Sequence, residues 1–462
     1  MSRFFPSAQR RNLVAAAACL ACSAIQAQVQ SVKVKGQAMC QTGDPYSKTT
    51  LDATQIRDAA VSQPEALLRN VPGVEVRGYH LGGVVNVITI RGFNGGAHGG
   101  DLGMVIDGIP LNEAMSHSDG YADLNVIVPL EIERFDVFRG PVSALYGNFN
   151  RGGLIAIESR RGGRYFQTDA SLASFGTVDL QGAIGTVVGG RQFNGAAQVY
   201  RTGDYWLDSK FTRGTLSGRW SLEVAPGGTL SLSARAHQGD WTSASYLLQS
   251  QFDAGDTYGK DARVNNDGGS KHFGAARVDY NQTLGASLKL LTFAYGTAQD
   301  YSRFFTRPRN ASTWRQREET YRRSVDGAGA SLNGCNDFGG LRLDWVAGAE
   351  LYRENTNYVY FEGTQARNRV SPAEYDRRYG FNSASAFTEM TLTVAPWLRP
   401  TLGLRHDRFS GAHTRRGSET GSDPCGKHQR CQPHDTQAGL ALDRCAWPGP
   451  ACEHCRRLCA AA

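Results

Sequence analysis

From Gly163 onward the chain alternates apolar and polar residues with a strict period of two, the pattern of a strand with one apolar and one polar face. Leu216, Trp220, Leu222 and Val224 share one parity, with Ser217, Arg219, Ser221 and Glu223 between them. After Ala225-Pro226-Gly227-Gly228 the pattern resumes as Leu230, Leu232, Ala234 and Ala236 against Ser231, Ser233 and Arg235, which predicts a hairpin with a short turn. Leu341, Leu343, Trp345, Ala347, Ala349 and Leu351 alternate in the same way, and Met390-Leu392-Val394 and Leu402-Leu404 flank another turn at Pro396. Between such hairpins run polar, aromatic stretches expected to be long loops: 253–270, 303–320 and 354–382. Short turns on one side and long loops on the other are the habit of outer-membrane barrels, with apolar residues facing lipid and polar ones the lumen. A soluble sandwich is the alternative, and strands longer than the usual ~5–6 residues argue against it.

Composition fits this reading. The 462 residues include 54 glycines, as a turn-rich chain requires, and nowhere is there an apolar run of the ~18 or more residues that a spanning helix needs. A helical membrane protein is thereby excluded, and a net charge of +7 over this length does not point to nucleic acid. Arg3, Arg10 and Arg11 precede the apolar stretch 13–24, so residues 1–27 are expected to be a secretory signal peptide. A mature chain that has left the cytoplasm is expected to pair its cysteines or lack them. Cys40 and Cys335 stand alone, whereas six cysteines crowd residues 425–459.

Residues 28–50 are polar and read as a flexible arm. Residues 51–163 mix a helical pattern (Ala59, Ala60, Ala66, Leu67, Leu68, with Asp52 as candidate cap) with short strands near 74–76, 84–90, 104–106, 132–138 and 154–157, a compact α+β domain.

Four segments of that domain, in this order and spacing, resemble the plug of TonB-dependent outer-membrane receptors: Leu67-Leu68-Arg69-Asn70-Val71-Pro72-Gly73-Val74, Ile88-Thr89-Ile90-Arg91-Gly92-Phe93, Val105-Ile106-Asp107-Gly108-Ile109-Pro110-Leu111-Asn112, and Ile132-Glu133-Arg134 followed by Arg139-Gly140-Pro141 and Gly152-Gly153. The resemblance implies an α+β plug followed by an antiparallel transmembrane β-barrel over residues 164–411, in the outer membrane of a Gram-negative bacterium. It implies energy-coupled uptake of a metal chelate, a ferric siderophore first among candidates, with cobalamin, haem, other metals and sugars open. The partners it implies are an inner-membrane TonB complex, the chelate and outer-membrane lipid. Neither a cofactor nor an enzymatic activity is expected.

Val32, Lys33, Val34 and Lys35 resemble the family's energy-coupling box in place and texture, and an extended segment of this kind can add as a strand to a partner's sheet edge. Arg91 and Arg139 resemble the two plug arginines that, in the family, pair with barrel glutamates; Glu350 and Glu389 are candidate partners. The apical plug loops carry Tyr79, His80, His98, His117 and Asp119, which could meet a metal or its chelate or simply face solvent. Arg307, Arg309 and Trp314 combine guanidinium groups with rings, which suits a flat anionic chelate and equally a lipopolysaccharide-facing surface.

The chain departs from the family in its strand count. About eleven candidate strands lie between residues 163 and 409, against about 22 for the closed barrel, so roughly half the barrel is expected. Residues 412–462 are read as an aberrant Cys-rich tail without alternation, an out-of-frame translation that would leave a truncated, non-functional product. Two alternatives are a secreted plug-like binding protein without a closed barrel, and a zinc module built on Cys452, His454 and Cys455.

Overall fold

The computed structural model describes residues 46–79, 81–93, 100–114, 116, 120–141, 143–147, 149–256, 260–261, 263–264, 266–309, 313–370, 372–416, 428–431 and 434–443. The box residues Val32 to Lys35, the leader, His80, His98, His117, Asp119, Cys452, His454 and Cys455 lie outside them.

The first domain opens with β1 (Lys48–Asp52) and helix α1 (Ala53–Ala59). Asp52 caps this helix as expected: its carboxylate accepts from the backbone N–H groups of Thr54 and Gln55 at 2.9 Å, and the Gln55 side chain accepts from the Asp52 N–H at 3.0 Å. The helical pattern read across residues 59–68 is broken in two, because Ala60 turns left-handed (φ 45°) and Pro64 starts a separate 3₁₀ turn, Pro64–Asn70, that buries Leu67 and Leu68. There follow β2 (Val74–Arg77), β3 (Val87–Ile90), β4 (Leu102–Ile106), β5 (Ile109–Pro110), two 3₁₀ turns (Leu124–Val126, Pro129–Glu131), β6 (Ile132–Arg139) and β7 (Gly153–Ser159). Five of these strands make one sheet in the order β1-β6-β7-β4-β5, with β4 and β7 parallel, and β2 pairs with β3. Asp107 and Gly108, both at positive φ, make the tight turn between β4 and β5. The core is a contiguous cluster of Ile, Leu, Val and Phe side chains reaching from Ile56 to Ile157.

Eleven antiparallel strands follow in meander order: β8 (Tyr165–Ala173), β9 (Thr177–Val188), β10 (Arg191–Thr202), β11 (Phe211–Ala225), β12 (Gly228–Thr242), β13 (Gly268–Thr283), β14 (Leu288–Pro308), β15 (Trp314–Phe338), β16 (Leu341–Gly363), β17 (Tyr375–Thr393) and β18 (Arg399–Arg416). Every second residue faces the plug and is polar, such as Asp179, Gln181, Arg213, Thr215, Arg219 and Asn333, all buried. The other face carries Leu180, Ile184, Leu216, Leu232, Leu351 and Leu402, all exposed. This is the apolar-out, polar-in pattern of an outer-membrane-type barrel, wrapped on the plug. Among the described residues β8 and the last strands do not pair with one another, so the sheet is an open, partial barrel.

At one end the hairpins close with short turns at 189–190, 226–227, 284–287, 339–340 and 394–398; the Gly-Gly pairs 189–190 and 339–340 both sit at positive φ, as two-residue hairpins demand. At the other end the connections are longer, but less so than the sequence suggests. Much of 303–320 and 354–382 is strand, because β14, β15 and β16 run for 21, 25 and 23 residues and pair across their whole length. These strands are about twice as long as the ~9–11 residues that a membrane-spanning strand needs and make a wall above the plug.

Two short strands, β19 (His428–Cys431) and β20 (His434–Asp443), pair with β18. Within the residues 412–462 read as an aberrant tail, His434–Asp443 thus stands opposite Arg399–Arg408 of β18 in backbone register.

Candidate ligand site and plug interface

The wall meets the plug through donors that find plug acceptors. Lys271 Nζ lies 2.8 Å from Asp123 Oδ2, and Asp123 also receives the Asn125 N–H at 2.8 Å. Arg235 is paired with Glu131, donates to the Val126 carbonyl at 2.9 Å, and shares Glu131 with the Ser217 hydroxyl. Arg213 donates to the Asn125 carbonyl at 2.7 Å, and Gln181 and Gln198 donate to the Val61 and Ser62 carbonyls at 3.0 and 2.9 Å. Arg323 bridges the Asn112 carbonyl (2.9 Å) and Glu354 (3.0 Å), while Gln299 donates to Glu113 at 2.7 Å. The 3₁₀ turns supply part of this chemistry, the Asn125 and Val126 carbonyls and the Glu131 carboxylate. Lys271, Arg235 and Arg323 each meet a buried carboxylate, and removing one partner would strand the other.

Arg91 and Arg139 are brought together at the short-turn end of the plug. The Arg139 guanidinium donates to the Thr49 hydroxyl at 2.6 Å, to Ser47 at 3.3 Å and to the Pro72 carbonyl at 3.3 Å, and Arg91 reaches the Arg139 carbonyl at 3.5 Å. These contacts tie plug elements to one another. Of the candidate glutamates, Glu389 touches the plug side, accepting from the Tyr46 and Ser143 hydroxyls at 2.8 and 2.6 Å, and Glu350 pairs within the wall with Arg405 of β18 at 2.7 Å.

At the plug's apex Tyr79 sits in an aromatic cluster with Leu81, Val84, Phe211, Trp241, Tyr301 and Tyr321. Tyr301 and Tyr321 stack with centroids 4.6 Å apart. Gly82 and Gly83 lie flat against Trp241, and a Cβ on Gly83 would come within 2.4 Å of its ring. Burial and the neighbouring Tyr246 push the Tyr79 phenol up, against the pull of Arg303.

Above this cluster the inward faces of β14–β17 carry guanidinium groups over rings. Arg303 lies 4.6 Å from the Phe305 centroid, Arg317 3.6 Å from Tyr360 and 5.7 Å from Phe305, and Arg377 4.6 Å from Tyr375. Arg307 donates to the Tyr360 hydroxyl at 3.3 Å, and Arg309 is paired with Glu362. Trp314 is on the opposite face, under the Arg263 guanidinium at 4.1 Å. The sequence thus singles out three neighbours, of which Arg307 and Arg309 join the inward group and Trp314 does not. Tyr358, Tyr360, Tyr375 and Arg377 escape the sequence reading because their segment reads as loop; the alternation Tyr358-Val359-Tyr360 is the signal that finds them.

Plug, buried polar interface and outward apolar face define a plug wrapped by an open sheet of the outer-membrane-barrel type. Residues 41–154 match the family described as TonB-dependent Receptor Plug Domain. Over this stretch the chain is therefore similar to the plug of TonB-dependent receptors, and its relatives there include vitamin B12, ferrioxamine and haem/hemopexin proteins. It is 31% identical over 126 residues (27% of this chain, 19% of the relative) to a vitamin B12 transporter BtuB of Vibrio vulnificus. It is 34% identical over 117 residues (25% and 15%) to a ferrioxamine receptor of Yersinia enterocolitica. Among solved structures the unliganded ferric citrate transporter FecA superposes with a TM-score of 0.72 at 15% identity, over 86% of this chain and 60% of that one. The matched stretch thus spans under a fifth of these curated relatives' length.

Proposed function

We propose that this chain is the plug and adjoining wall of an outer-membrane importer that captures an anionic ferric chelate above the plug. The observation that carries this reading is the inward array of Arg303, Arg307, Arg317 and Arg377 over Phe305, Tyr360 and Tyr375. Guanidinium groups bind carboxylate, catecholate or hydroxamate oxygens by charge and fork geometry, and rings pack on the flat faces of such ligands. Tyr79 and the aromatic cluster around it form the floor, and the plug closes the passage until it is moved. Movement is driven from the inner membrane by a TonB complex acting on Val32 to Lys35, in a Gram-negative outer membrane.

Titrating the full chain in detergent with ferric carboxylate, catecholate and hydroxamate chelates, haem and cobalamin, read by tryptophan quenching, tests the ligand class. An anionic ferric chelate is expected to bind most tightly and to lose affinity with added salt. Tightest binding of cobalamin, insensitive to salt, refutes the ligand class. Deleting residues 32–35 is expected to abolish energised uptake and leave binding unchanged; uptake that persists removes the box from the mechanism.

A further inference from the structure

A cavity lies between the plug and strands β10–β13, lined by Ser159 and Arg160 of the plug and by Arg219 and Ser233 of the wall. It exists because small residues face the plug there. Ala196 stands opposite Ser217 in one cross-strand row, and in the next Ser233 stands between Arg219 and Arg277. About 40 Å³ is open to the centre of a water molecule, room for about three waters or for one oxyanion in their place.

The carboxylates around this cavity each have a guanidinium of their own: Asp107 pairs with Arg161 at 3.0 Å, Asp279 with Arg277 at 2.6 Å, and Glu131 with Arg235. Arg219 and Arg160 are surplus to these pairs. Arg219, its side chain only 4% exposed, shares Asp279 at 3.4 Å, and its Nε and Nη1 have no hydrogen-bond partner among the described residues. Arg160 lies 4.6 Å from the Tyr165 ring centroid and 4.0 Å from Glu133, a solvent-facing carboxylate, and its Nε is likewise without a hydrogen bond. Water can meet such donors but brings no charge, and a buried guanidinium lacking a counter-charge is costly.

We propose that the cavity binds one small inorganic dianionic oxyanion, phosphate or sulfate, between Arg219 of the wall and Arg160 of the plug. Its two charges match the two surplus guanidinium groups, and its oxygens accept from their N–H forks. A space of about 40 Å³ is too small for a whole ferric chelate, so the site is separate from the arginine array above the plug. Plug and wall each supply part of the site. Only the docked plug therefore holds the ion, and binding stabilises docking by mass action.

The test is isothermal titration of the full chain in detergent with sodium phosphate and, separately, sodium sulfate, at fixed ionic strength in chloride. Expected is saturable binding of one ion per chain, with a melting temperature that rises with ion concentration. Arg219→Gln and Arg160→Gln are each expected to weaken binding about tenfold, and Ser233→Leu to abolish it by filling the space without changing the charge. Should Arg219→Gln not fold, the wild type and Arg160→Gln decide. No saturable binding by the folded wild type overturns the site, its donors then being met by water alone. Binding that survives Arg219→Gln and Arg160→Gln but is lost with Arg317→Ala also overturns it, placing the ion among the arginines above the plug. Neither outcome bears on chelate binding, which Arg219→Gln is expected to leave unchanged.

Discussion

Lys271 of the wall and Asp123 of the plug, 148 residues apart in sequence, face each other at 2.8 Å with side chains only 4% and 3% exposed. Burial pushes the Asp123 carboxyl up, but Lys271 and the Asn125 N–H hold it below the usual carboxylate range. Lys271→Met leaves Asp123 buried and charged without its partner, at an expected cost of about 3–5 kcal/mol to plug docking. Adding Asp123→Asn, which keeps the turn cap, should recover most of that loss. A double-mutant cycle on denaturant midpoints checks it, and strictly additive effects would show the pair to be uncoupled.

Gly83 is where the plug's apex touches Trp241. Gly83→Ala is expected to destabilise the chain by about 1–3 kcal/mol through this collision, and to be nearly neutral in a Trp241→Ala background. Thermal melts of the four variants decide it; an equal cost in both backgrounds would place the strain elsewhere.

Asp107 gives a pH dependence. Its buried carboxyl is pushed up by desolvation, but Arg161, Arg219 and two hydrogen bonds from Ser159 outweigh this and bring it to about 2, from an ordinary 3.8. A depressed native value contributes stability that is full above the unfolded value and is lost as pH falls through the folded one, here between about pH 4 and pH 2. The shift corresponds to roughly 2 kcal/mol. Stability curves of wild type and Asp107→Asn should converge over that window, and a constant gap down to pH 2 would refute the assignment.

The inward wall makes a face-specific prediction. Arg317→Ala and Arg307→Ala should each weaken anionic chelate binding about tenfold, while Trp314→Ala, on the other face under Arg263, should leave it unchanged. Quenching titrations on the three variants read this directly. A loss with Trp314→Ala equal to that with Arg317→Ala would move the site off the lumenal face.

Much of this architecture is legible in the residues themselves. Asp52 with Gln55 specifies a helix start, Asp107-Gly108 a tight turn, and alternation such as Leu216-Ser217 a strand with one apolar and one polar face, because each depends only on neighbours within a few positions. The count of eleven strands follows from the same local periodicity. How far strands run is not local. Residues 303–308 and 354–363 are polar and aromatic, loop-like when read alone, and become strand because a partner of equal length supplies their hydrogen bonds. The partnerships that define the site are likewise tertiary: Asp123 with Lys271, Glu131 with Arg235, and Arg317 with Tyr360 bring together side chains whose chemistry is visible in sequence and whose proximity is not. Period two assigns each of these residues a face, but only the register of the closed pairs, and the wrapping of the sheet around the plug, decides which charge stands opposite which.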